Sequence, residues 1–515
     1  MRLTRLFLAF AVLAIAACSG SGSGGTNIVD NTALAMGGSG ALQAMKSQKI
    51  VASGTWFEPE QTFRPGDDPR QVSTFRHTLT HDLAADRIRY DWSRDISYPF
   101  VATQLYAEVV DRDQGLVTGA DGSGPTPAAM PSVRVATVRK LNRLTSPLAL
   151  IRSALADPAG VEARPDELFE GKTCHVLALT RERPRPIRLF IATDTFLPAK
   201  ADTMEDDPYY GDTLHEVLFT DWRRQGAVMT PFGLTQRLTG LGRTITLQTE
   251  ARTEVVNDVD IPAELFAIPA ELRVPANADE TERGERMAQW FLRRQAIGIP
   301  SFTDQSLSVV VTETRPGSKV FFVTGGTHNS LIVEKDDHLI VVEPALYESR
   351  SQAVIAQIKT RFPGKPIRYV IVSHFHIDHG GGVRTFAAEG ATIVAGEASR
   401  AHFEAILAAP HTVFPDRLQN NPRQAAVLAV PDGGGLQLSG GAMAIYSVLN
   451  QTHAADMIVP FVPAEGLLFV SDLLSPAAAT VTAADIPLPL QQTFSRFNLT
   501  VTSIAGGHGT IAAVK

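Results

Sequence analysis

Apolar and polar residues alternate with a period of two through much of the chain from residue 34 to residue 275. The segments QKIVASGTWF and IRLFIAT show this alternation, and turns separate most of the segments. A period of two places successive side chains on opposite faces of a strand. The pattern therefore predicts an α+β domain built on one large antiparallel sheet, with short helices near 39–46 and 147–155.

The spacing of large apolar residues changes between residues 276 and 305, a region flanked by prolines. Met287, Trp290, Phe291 and Arg294 occupy positions i, i+3, i+4 and i+7, which lie on one face of a helix. We therefore expect a linker helix in this region that packs on one of the domains it connects.

Apolar strands and helices alternate over residues 306–515. Strands are expected near 331–334 and 338–342, followed by a helix at about 349–361 and then the strand IRYVIVS. This alternation is typical of a layered α/β domain, in which helices cover a sheet.

The first 18 residues are typical of a signal peptide. Two arginines precede twelve apolar residues, which are too few to span a membrane. The following Ile-Ala-Ala-Cys resembles the lipobox of bacterial lipoproteins and implies lipidation of Cys18, a membrane anchor and a periplasmic location, with Ser19 favouring the outer membrane. Residues 19–33 are expected to form a flexible tether. An ordinary cleaved signal peptide is the alternative.

Composition argues against several other classes of protein. The formal net charge is −7, and the sequence contains no run of lysines or arginines that would follow a phosphate backbone, so we expect no nucleic-acid partner. With Cys18 lipidated, Cys174 has no disulfide partner and is expected to be a buried, inert thiol.

His77 and His81 are interpreted as exposed strand histidines, because no further ligand cluster lies nearby. Nothing in the sequence identifies a protein partner.

The densest group of reactive side chains is SHFHIDHGGG, residues 373–382, in a chain of only 13 histidines. It follows a predicted strand and so lies in a loop at the edge of a sheet. His374 and His376 alternate in an extended loop and can reach one metal ion, while Asp378 and His379 face a second. The glycines let the backbone turn tightly into the next helix.

The H-x-H-x-D-H pattern after an apolar strand is the signature of the metallo-β-lactamase superfamily, which residues 306–515 resemble. The resemblance implies an αββα sandwich with the active site between its sheets. It assigns His453 as the third ligand of the first metal, Asp472 as the bridging carboxylate and His508 as the last ligand of the second. It also implies two divalent metal ions, with zinc as the default and iron or manganese as alternatives, and a hydroxide nucleophile held between them.

Other residues are expected to support this chemistry. Asp378 could also orient the water or accept its proton, and Asp456 is predicted to support a ligand imidazole. Glu343 stands where many relatives carry aspartate, which leaves the support of the histidine loop open. His328 and His411 are candidate substrate contacts, with surface loop histidines as the alternative reading.

The resulting hypothesis is a metallohydrolase that cleaves an ester, thioester, lactone or amide bond in a small molecule. A β-lactamase is one alternative, although true β-lactamases of this fold usually lack an aspartate at the position of Asp472. The other alternative is a periplasmic binding protein. Its N-terminal half, which resembles the half-barrels of lipoprotein carriers, would hold a lipid or amphiphile while the metal domain stays idle.

Overall fold

The structure, a computed structural model, describes residues 23–181, 185–299, 301–302 and 307–515. The predicted signal peptide and Cys18 lie outside this part of the chain. Among the described residues, every helix is too short or too polar to cross a membrane.

The N-terminal part contains one antiparallel sheet of thirteen strands. The strands are β1 (Ser47–Glu58), β2 (Arg70–Asp82), β3 (Arg87–Ile96), β4 (Ala102–Asp111), β5 (Gln114–Gly119), β6 (Ala128–Ala129), β7 (Val161–Phe169), β8 (Lys172–Leu179), β9 (Ile187–Ala192), β10 (Pro198–Asp207), β11 (Gly211–Gln225), β12 (Val228–Gly240) and β13 (Arg243–Asn257). Their order in the sheet is β6-β5-β4-β3-β2-β1-β13-β12-β11-β10-β9-β8-β7. Neighbours in the sheet are also neighbours in sequence except where β1 pairs with β13. The predicted large antiparallel sheet is confirmed, and Cys174 on β8 is buried.

Four helices pack on this sheet: α1 (Ser23–Ala35), α2 (Ser39–Ala44), α3 (Ser132–Leu144) and α4 (Pro147–Ala156). Helices α2 and α4 match the two predicted helices. The tether predicted over residues 19–33 is wrong from Ser23 onward, because α1 buries Val29 and Ala33 in the same apolar cluster as Leu150 of α4. The glycines and serines end by residue 25, and the apolar residues that follow have helical spacing.

The interpretation of His77 and His81 as exposed is wrong, because α3 lies over this face of the sheet. Asn142 of α3 comes within 3.5 Å of the His81 ring, and both histidines are buried. Nε2 of His77 lies 3.2 Å from Oε2 of Glu250, whose other oxygen accepts a hydrogen bond from Arg252 at 3.2 Å. Burial opposes ionisation of Glu250, yet His77 and Arg252 lower its pKa to about 2.

Two linker helices, α5 (Ala278–Arg286) and α6 (Ala288–Ala296), replace the single predicted linker helix. They meet at Met287, whose backbone leaves the helical conformation. Helix α6 packs between both domains and not on one of them. Its Trp290 ring lies edge-on to Tyr347 of the C-terminal domain at 4.9 Å, and its Ala296 carbonyl accepts a hydrogen bond from Ser73 of β2.

The C-terminal domain is a sandwich of two seven-stranded sheets with helices outside. The first sheet contains β14 (Val310–Glu313), β15 (Val320–Thr324), β16 (Ser330–Glu334), β17 (Leu339–Val342), β18 (Ile367–Ile371), β19 (Thr392–Gly396) and β20 (Val427–Val430). The second contains, in chain order, β21 (Gly435–Leu438), β22 (Met443–Ser447), β23 (Ile458–Val462), β24 (Leu467–Ser471), β25 (Thr480–Val481), β26 (Ser503–Gly506) and β27 (Ile511–Val514). The helices are α7 (Glu348–Arg361), α8 (Ile377–Gly380), α9 (Val383–Ala388), α10 (Arg400–Ala408), α11 (Arg417–Asn420) and α12 (Leu488–Phe497).

Apolar side chains from both sheets form the core of the sandwich. Ile340 and Ile371 of the first sheet pack with Met443 and Phe469 of the second. Outside the sandwich, α7 and α9 pack on the first sheet and α12 on the second. The helix, sheet, sheet, helix order agrees with the predicted αββα architecture.

Replacing Glu250 by glutamine should make the protein less stable at pH 7 and have a smaller effect at pH 3. The folded-state pKa of about 2 lies below the ordinary value of 4.5 for a glutamate. The carboxylate therefore stabilises the fold above about pH 4.5, and this contribution is lost as pH falls through 2. Urea unfolding at several pH values measures the difference. Glu254→Gln on the same strand, whose side chain is 51% exposed, is the control. An equal loss of stability at pH 7 and pH 3 would contradict the assignment.

Trp290→Ala should lower the free energy of unfolding by about 3–5 kcal/mol, the usual cost of truncating a buried tryptophan. Trp290 is fully buried at the junction of the two domains. Chemical denaturation measures the loss, with Leu168→Ala, at a side chain 76% exposed, as the control. A change below about 1 kcal/mol would mean that the junction contributes little to stability.

Candidate metal centre

The predicted ligands lie in loops that follow strands of both C-terminal sheets. The loop after β18 carries the first histidines, the end of β24 leads into Asp472, and His508 follows β26. Strands β24 and β26 run parallel, so their carboxyl ends lie at the same edge of the second sheet. His453 lies in the loop between β22 and β23. These loops converge at one end of the sandwich.

His374, His376 and His453 form the first group of potential ligands. Their ligand atoms lie within 4.8 Å of one another, and the Nε2 atoms of His374 and His453 are 3.1 Å apart. Zinc–nitrogen bonds of about 2.0–2.1 Å in a tetrahedral site would place two ligand nitrogens about 3.3 Å apart. The observed spacing is therefore close to that of a metal site.

His328, His379 and His508 form a second group with the same 4.8 Å limit. His328, which sequence analysis treated as a substrate contact, lies within this cluster, with its ring 4.2 Å from that of His508. Asp378 lies beside the group: its Oδ2 is 3.3 Å from Nε2 of His328 and 3.8 Å from Nε2 of His379. His328 is therefore placed as a further potential ligand.

Asp472 lies between the two groups. Its Oδ1 is 3.1 Å from Nε2 of His379 and 3.3 Å from Nε2 of His508, while its Oδ2 is 3.4 Å from Nε2 of His453. One carboxylate oxygen thus faces each group, which is the geometry that a bridging carboxylate requires.

The donor atoms of the cluster fit a divalent metal ion. Three buried atoms of the cluster have no hydrogen-bond partner among the described residues, namely Nε2 of His328, Nε2 of His379 and Oδ1 of Asp472. Buried polar atoms in folded proteins are normally bonded, so each such exception calls for an explanation. A cation bound to these imidazole nitrogens and carboxylate oxygens would satisfy them.

Four histidines of the cluster bond through the ring nitrogen that faces away from it. These contacts are His374 Nδ1 with Ser373 Oγ at 2.9 Å, His376 Nε2 with Thr62 O at 2.9 Å, His379 Nδ1 with Glu343 Oε1 at 2.5 Å and His508 Nδ1 with Thr327 O at 2.7 Å. At His376, His379 and His508 the partner is a carbonyl or carboxylate oxygen, which only accepts, so the bonded nitrogen of these three rings carries the proton. The other nitrogen is then left as a ligand.

Glu343 supports the histidine loop, which answers the question that the sequence left open. Its buried carboxylate accepts hydrogen bonds from the Ser373 backbone at 3.2 Å, the Ser373 hydroxyl at 3.0 Å and the Ser471 hydroxyl at 2.7 Å. Glu343 follows β17, Ser373 follows β18 and Ser471 ends β24, so these hydrogen bonds and the one from His379 connect the ends of three strands through one carboxylate.

Burial keeps several of the imidazoles neutral. It lowers the pKa of His374 well below the ordinary value, and neighbouring imidazoles lower it further. The same two causes bring the pKa of His376 to about 3, and burial brings that of His328 to about 4. Because only a neutral imidazole can bind a metal, this environment favours metal binding near neutral pH.

The carboxylates remain ionised beside these rings. Burial alone would raise the pKa values of Asp378 and Asp472, but His379 lowers both well below their ordinary range. For His379 the directions are reversed. Burial alone would lower the pKa of this imidazole, but the carboxylates of Asp472, Glu343 and Asp378 raise it well above its ordinary value. A divalent cation would balance this concentration of buried negative charge.

Two predicted residues lie away from the cluster. Asp456 is buried, which raises its pKa to about 7, and among the described residues it makes no hydrogen bond to a ligand imidazole. Nδ1 of His411 lies 2.9 Å from Asp206 of β10, in a cavity of about 120 Å³ at the domain junction. Hydrogen bonds from the backbone and hydroxyl of Thr412 to Asp212 of β11 hold the loop of His411 against the N-terminal sheet.

Residues of the N-terminal domain also reach the site, and sequence analysis did not identify them. Gln61 and Thr62 contact Asp378 and His376 across more than 300 residues of sequence. Tyr98 is close enough that Asp378 and Asp472 add to the effect of burial, which raises its pKa to about 12. No local pattern distinguishes these residues, because their role depends on how the domains pack.

Several solved metallo-beta-lactamases are similar to part of this chain. DIM-1 exposed to ceftazidime is 14% identical, and the match covers 40% of this chain and 91% of DIM-1 with a TM-score of 0.30. FIM-1 from Pseudomonas aeruginosa, in its mono-zinc form, is 22% identical over 40% and 90% of the two chains, with a TM-score of 0.29. The enzyme from Hirschia baltica is 18% identical over 40% and 93%, with a TM-score of 0.30.

The family comparison covers most of the candidate centre. Residues 323–500 match the model of the metallo-beta-lactamase superfamily. This range contains the histidine loop, His328, His453 and Asp472, and His508 follows it by eight residues. The C-terminal domain therefore belongs to the metallo-beta-lactamase superfamily.

Proposed function

We propose that this protein is a dinuclear metallohydrolase that cleaves an ester, thioester, lactone or amide bond in a small molecule. The observation that carries the proposal is the position of Asp472, whose two oxygens face two separate groups of histidines. A carboxylate in this position suits two cations side by side better than it suits one.

The first ion would be held by His374, His376 and His453, and the second by His379 and His508 with Asp378 and His328. The nitrogen and oxygen donors favour zinc, and iron or manganese could use the same set. When bound, such ions lower the pKa of water toward neutrality and polarise the oxygen of a scissile carbonyl.

Asp378 is proposed to orient the water or to accept its proton. Its Oδ2 faces the second histidine group, and its environment keeps it ionised, so that it can accept a hydrogen bond from a water. Its Oδ1 accepts a hydrogen bond from Gln61 at 2.7 Å, which fixes the direction of the carboxylate.

Tyr98 and Arg70 are the proposed substrate contacts on the N-terminal side. The Arg70 guanidinium lies 4.2 Å from the centre of the Tyr98 ring. With a pKa of about 12, the Tyr98 phenol is neutral at physiological pH and can donate a hydrogen bond. The pair favours a substrate with an oxygen acceptor near its scissile bond.

Elemental analysis of the purified protein tests the centre, with about two metal ions per chain expected. The double variant His376→Ala with Asp472→Ala should lose most of this metal, because it removes a ligand of the first group and the bridging carboxylate. His175→Ala with Asp166→Ala is the matched control, since these residues form a partly exposed pair at 3.0 Å on the N-terminal sheet. A wild-type chain that stays metal-free after soaking with zinc would refute the proposal.

Activity of the metal-loaded protein is measured on a panel containing an ester, a thioester, a lactone, an amide, a phosphodiester and a chromogenic cephalosporin. Turnover of at least one of the first four supports the proposal. Turnover of the cephalosporin alone would instead favour the β-lactamase alternative, and no turnover by a fully loaded protein would count against hydrolysis.

His328→Ala should weaken binding of the second metal ion at least about tenfold and leave the first ion in place. The reason is that Nε2 of His328 is buried in the second group without a hydrogen-bond partner among the described residues. Competition with a chromogenic chelator measures both affinities, with His175→Ala as the control. If the variant binds both metal ions as tightly as wild type, His328 is not a ligand, and its prediction as a substrate contact stands.

A further inference from the structure

The segment Glu58–Phe63, which extends from the end of β1, reaches from the N-terminal domain into the metal centre. Nε2 of Gln61 donates a hydrogen bond to Oδ1 of Asp378 at 2.7 Å. The carbonyl of Thr62 accepts one from Nε2 of His376 at 2.9 Å. Gln61 is only 3% exposed, so water does not compete freely for its amide.

The contact with Gln61 determines which oxygen of Asp378 faces the cluster. Oδ2 lies 3.3 Å from Nε2 of His328 and 3.8 Å from Nε2 of His379, while Oδ1 is bonded to Gln61. An ionised carboxylate can only accept hydrogen bonds, and the amide of glutamine provides the donor. Without this donor, Asp378 could rotate and lose its alignment with the second histidine group.

The contact with Thr62 has a similar effect on His376. A carbonyl oxygen only accepts, so Nε2 of His376 must carry the proton and Nδ1 is left for a metal ion. Because this acceptor belongs to the main chain, it depends on the path of the backbone and not on the identity of the Thr62 side chain.

Buried contacts hold the segment in place at both ends. At its start, Arg293 of α6 donates to both oxygens of Glu58, at 3.1 and 2.5 Å, and also contacts Asp207. At its end, the carbonyl of Phe63 accepts a hydrogen bond from the backbone of Ala455 at 2.7 Å. The segment is therefore attached to the linker helix and to the loop that carries His453.

The middle of the segment is anchored to the C-terminal domain as well. Oε2 of Glu60 lies 3.2 Å from Nε2 of His402, and its other oxygen accepts a hydrogen bond from Tyr210. The neighbouring Tyr209 donates to the carbonyl of Phe375, within the histidine loop, at 2.9 Å. A Cβ at Gly380 would lie 2.1 Å from the Tyr209 hydroxyl, so this glycine provides space for the N-terminal domain.

We propose that Gln61 is a positioning residue of the metal centre, so that the N-terminal domain supplies part of the support for the metal ligands. The inference rests on the proposed function for the presence of metal, but it concerns affinity and geometry at the second group and not the reaction. It also gives the N-terminal domain a role in supporting the metal centre.

The test compares Gln61→Leu and Gln61→Glu with wild type and with Gln71→Leu, an exposed glutamine on β2 of the same domain. Leucine removes the donor at similar size, and glutamate places a second acceptor against Asp378. Each protein is titrated with Co²⁺ and followed by its visible absorption, and Zn²⁺ affinities are measured by competition with a chelator. Affinity at the first group serves as an internal check that each variant is folded.

Gln61→Leu is expected to weaken the second site about 10–100-fold, the usual range for the loss of a residue that orients a ligand. Its cobalt spectrum should change for the second ion only, while Gln71→Leu matches wild type. Gln61→Glu should weaken the site further, because two carboxylates would face each other. If one of the two Gln61 variants does not fold, the Zn²⁺ affinity and the Co²⁺ spectrum of the other variant test the inference.

Two wild-type affinities and an unchanged spectrum in both Gln61 variants would overturn the inference. A wild-type protein that binds two ions but hydrolyses nothing on the panel would refute the proposed function alone, because the metal affinities of the variants still decide the role of Gln61. A wild-type protein that binds no metal would refute both.

Discussion

The metal centre depends above all on the bonds that hold the carboxylate of Glu343. This residue follows β17, and it accepts hydrogen bonds from Ser373 after β18 and from Ser471 at the end of β24. Strands β17 and β18 belong to the first sheet and β24 to the second, so one side chain joins the two sheets at the mouth of the sandwich. Glu343 has a φ of 68°, an uncommon conformation for a residue other than glycine. The bonds that it accepts, including the one with His379, explain why this conformation is maintained.

The two domains are joined by contacts of two kinds with different consequences. Trp290 and Phe291 of α6 are fully buried in a cluster that includes Tyr347 and Phe375 of the C-terminal domain, and burial of such rings provides most of the stabilisation. The buried charges around Arg293 contribute less, because desolvation offsets much of their attraction. Their directional bonds do require one relative position of α6 and the Glu58–Phe63 segment. Apolar burial holds the domains together, and the charges determine the alignment.

The sequence predicts best those features that depend on short stretches of chain. Alternation along β1 and β9 indicates strands, and His374, His376 and His379 lie so close in sequence that one loop brings them together. Features that depend on packing between distant segments are predicted poorly. His77 has the spacing of an exposed strand residue, and only the position of α3 over the sheet makes it buried.

The same limit explains why the surroundings of two candidate site residues differ from one another. His411 and His328 are both loop histidines, and the sequence gives no reason to separate them. A hydrogen bond from Thr412 to Asp212 holds the loop of His411 near the N-terminal sheet, whereas the ring of His328 lies beside that of His508. Gln61 is beyond local analysis altogether, since 317 residues separate it from Asp378.

The family resemblance covers residues 323–500, whereas part of the surroundings of the centre comes from the N-terminal domain. A fold alone does not determine function, and substrate specificity depends on the residues that line the site. In this chain Tyr98, Arg70 and the Glu58–Phe63 segment all approach the centre from the N-terminal domain. Under the proposed function, the residues that determine substrate specificity and some of those that orient the metal ligands lie outside the C-terminal domain. The N-terminal sheet would then have to be present, and docked as observed, for the C-terminal domain to act on its own substrate.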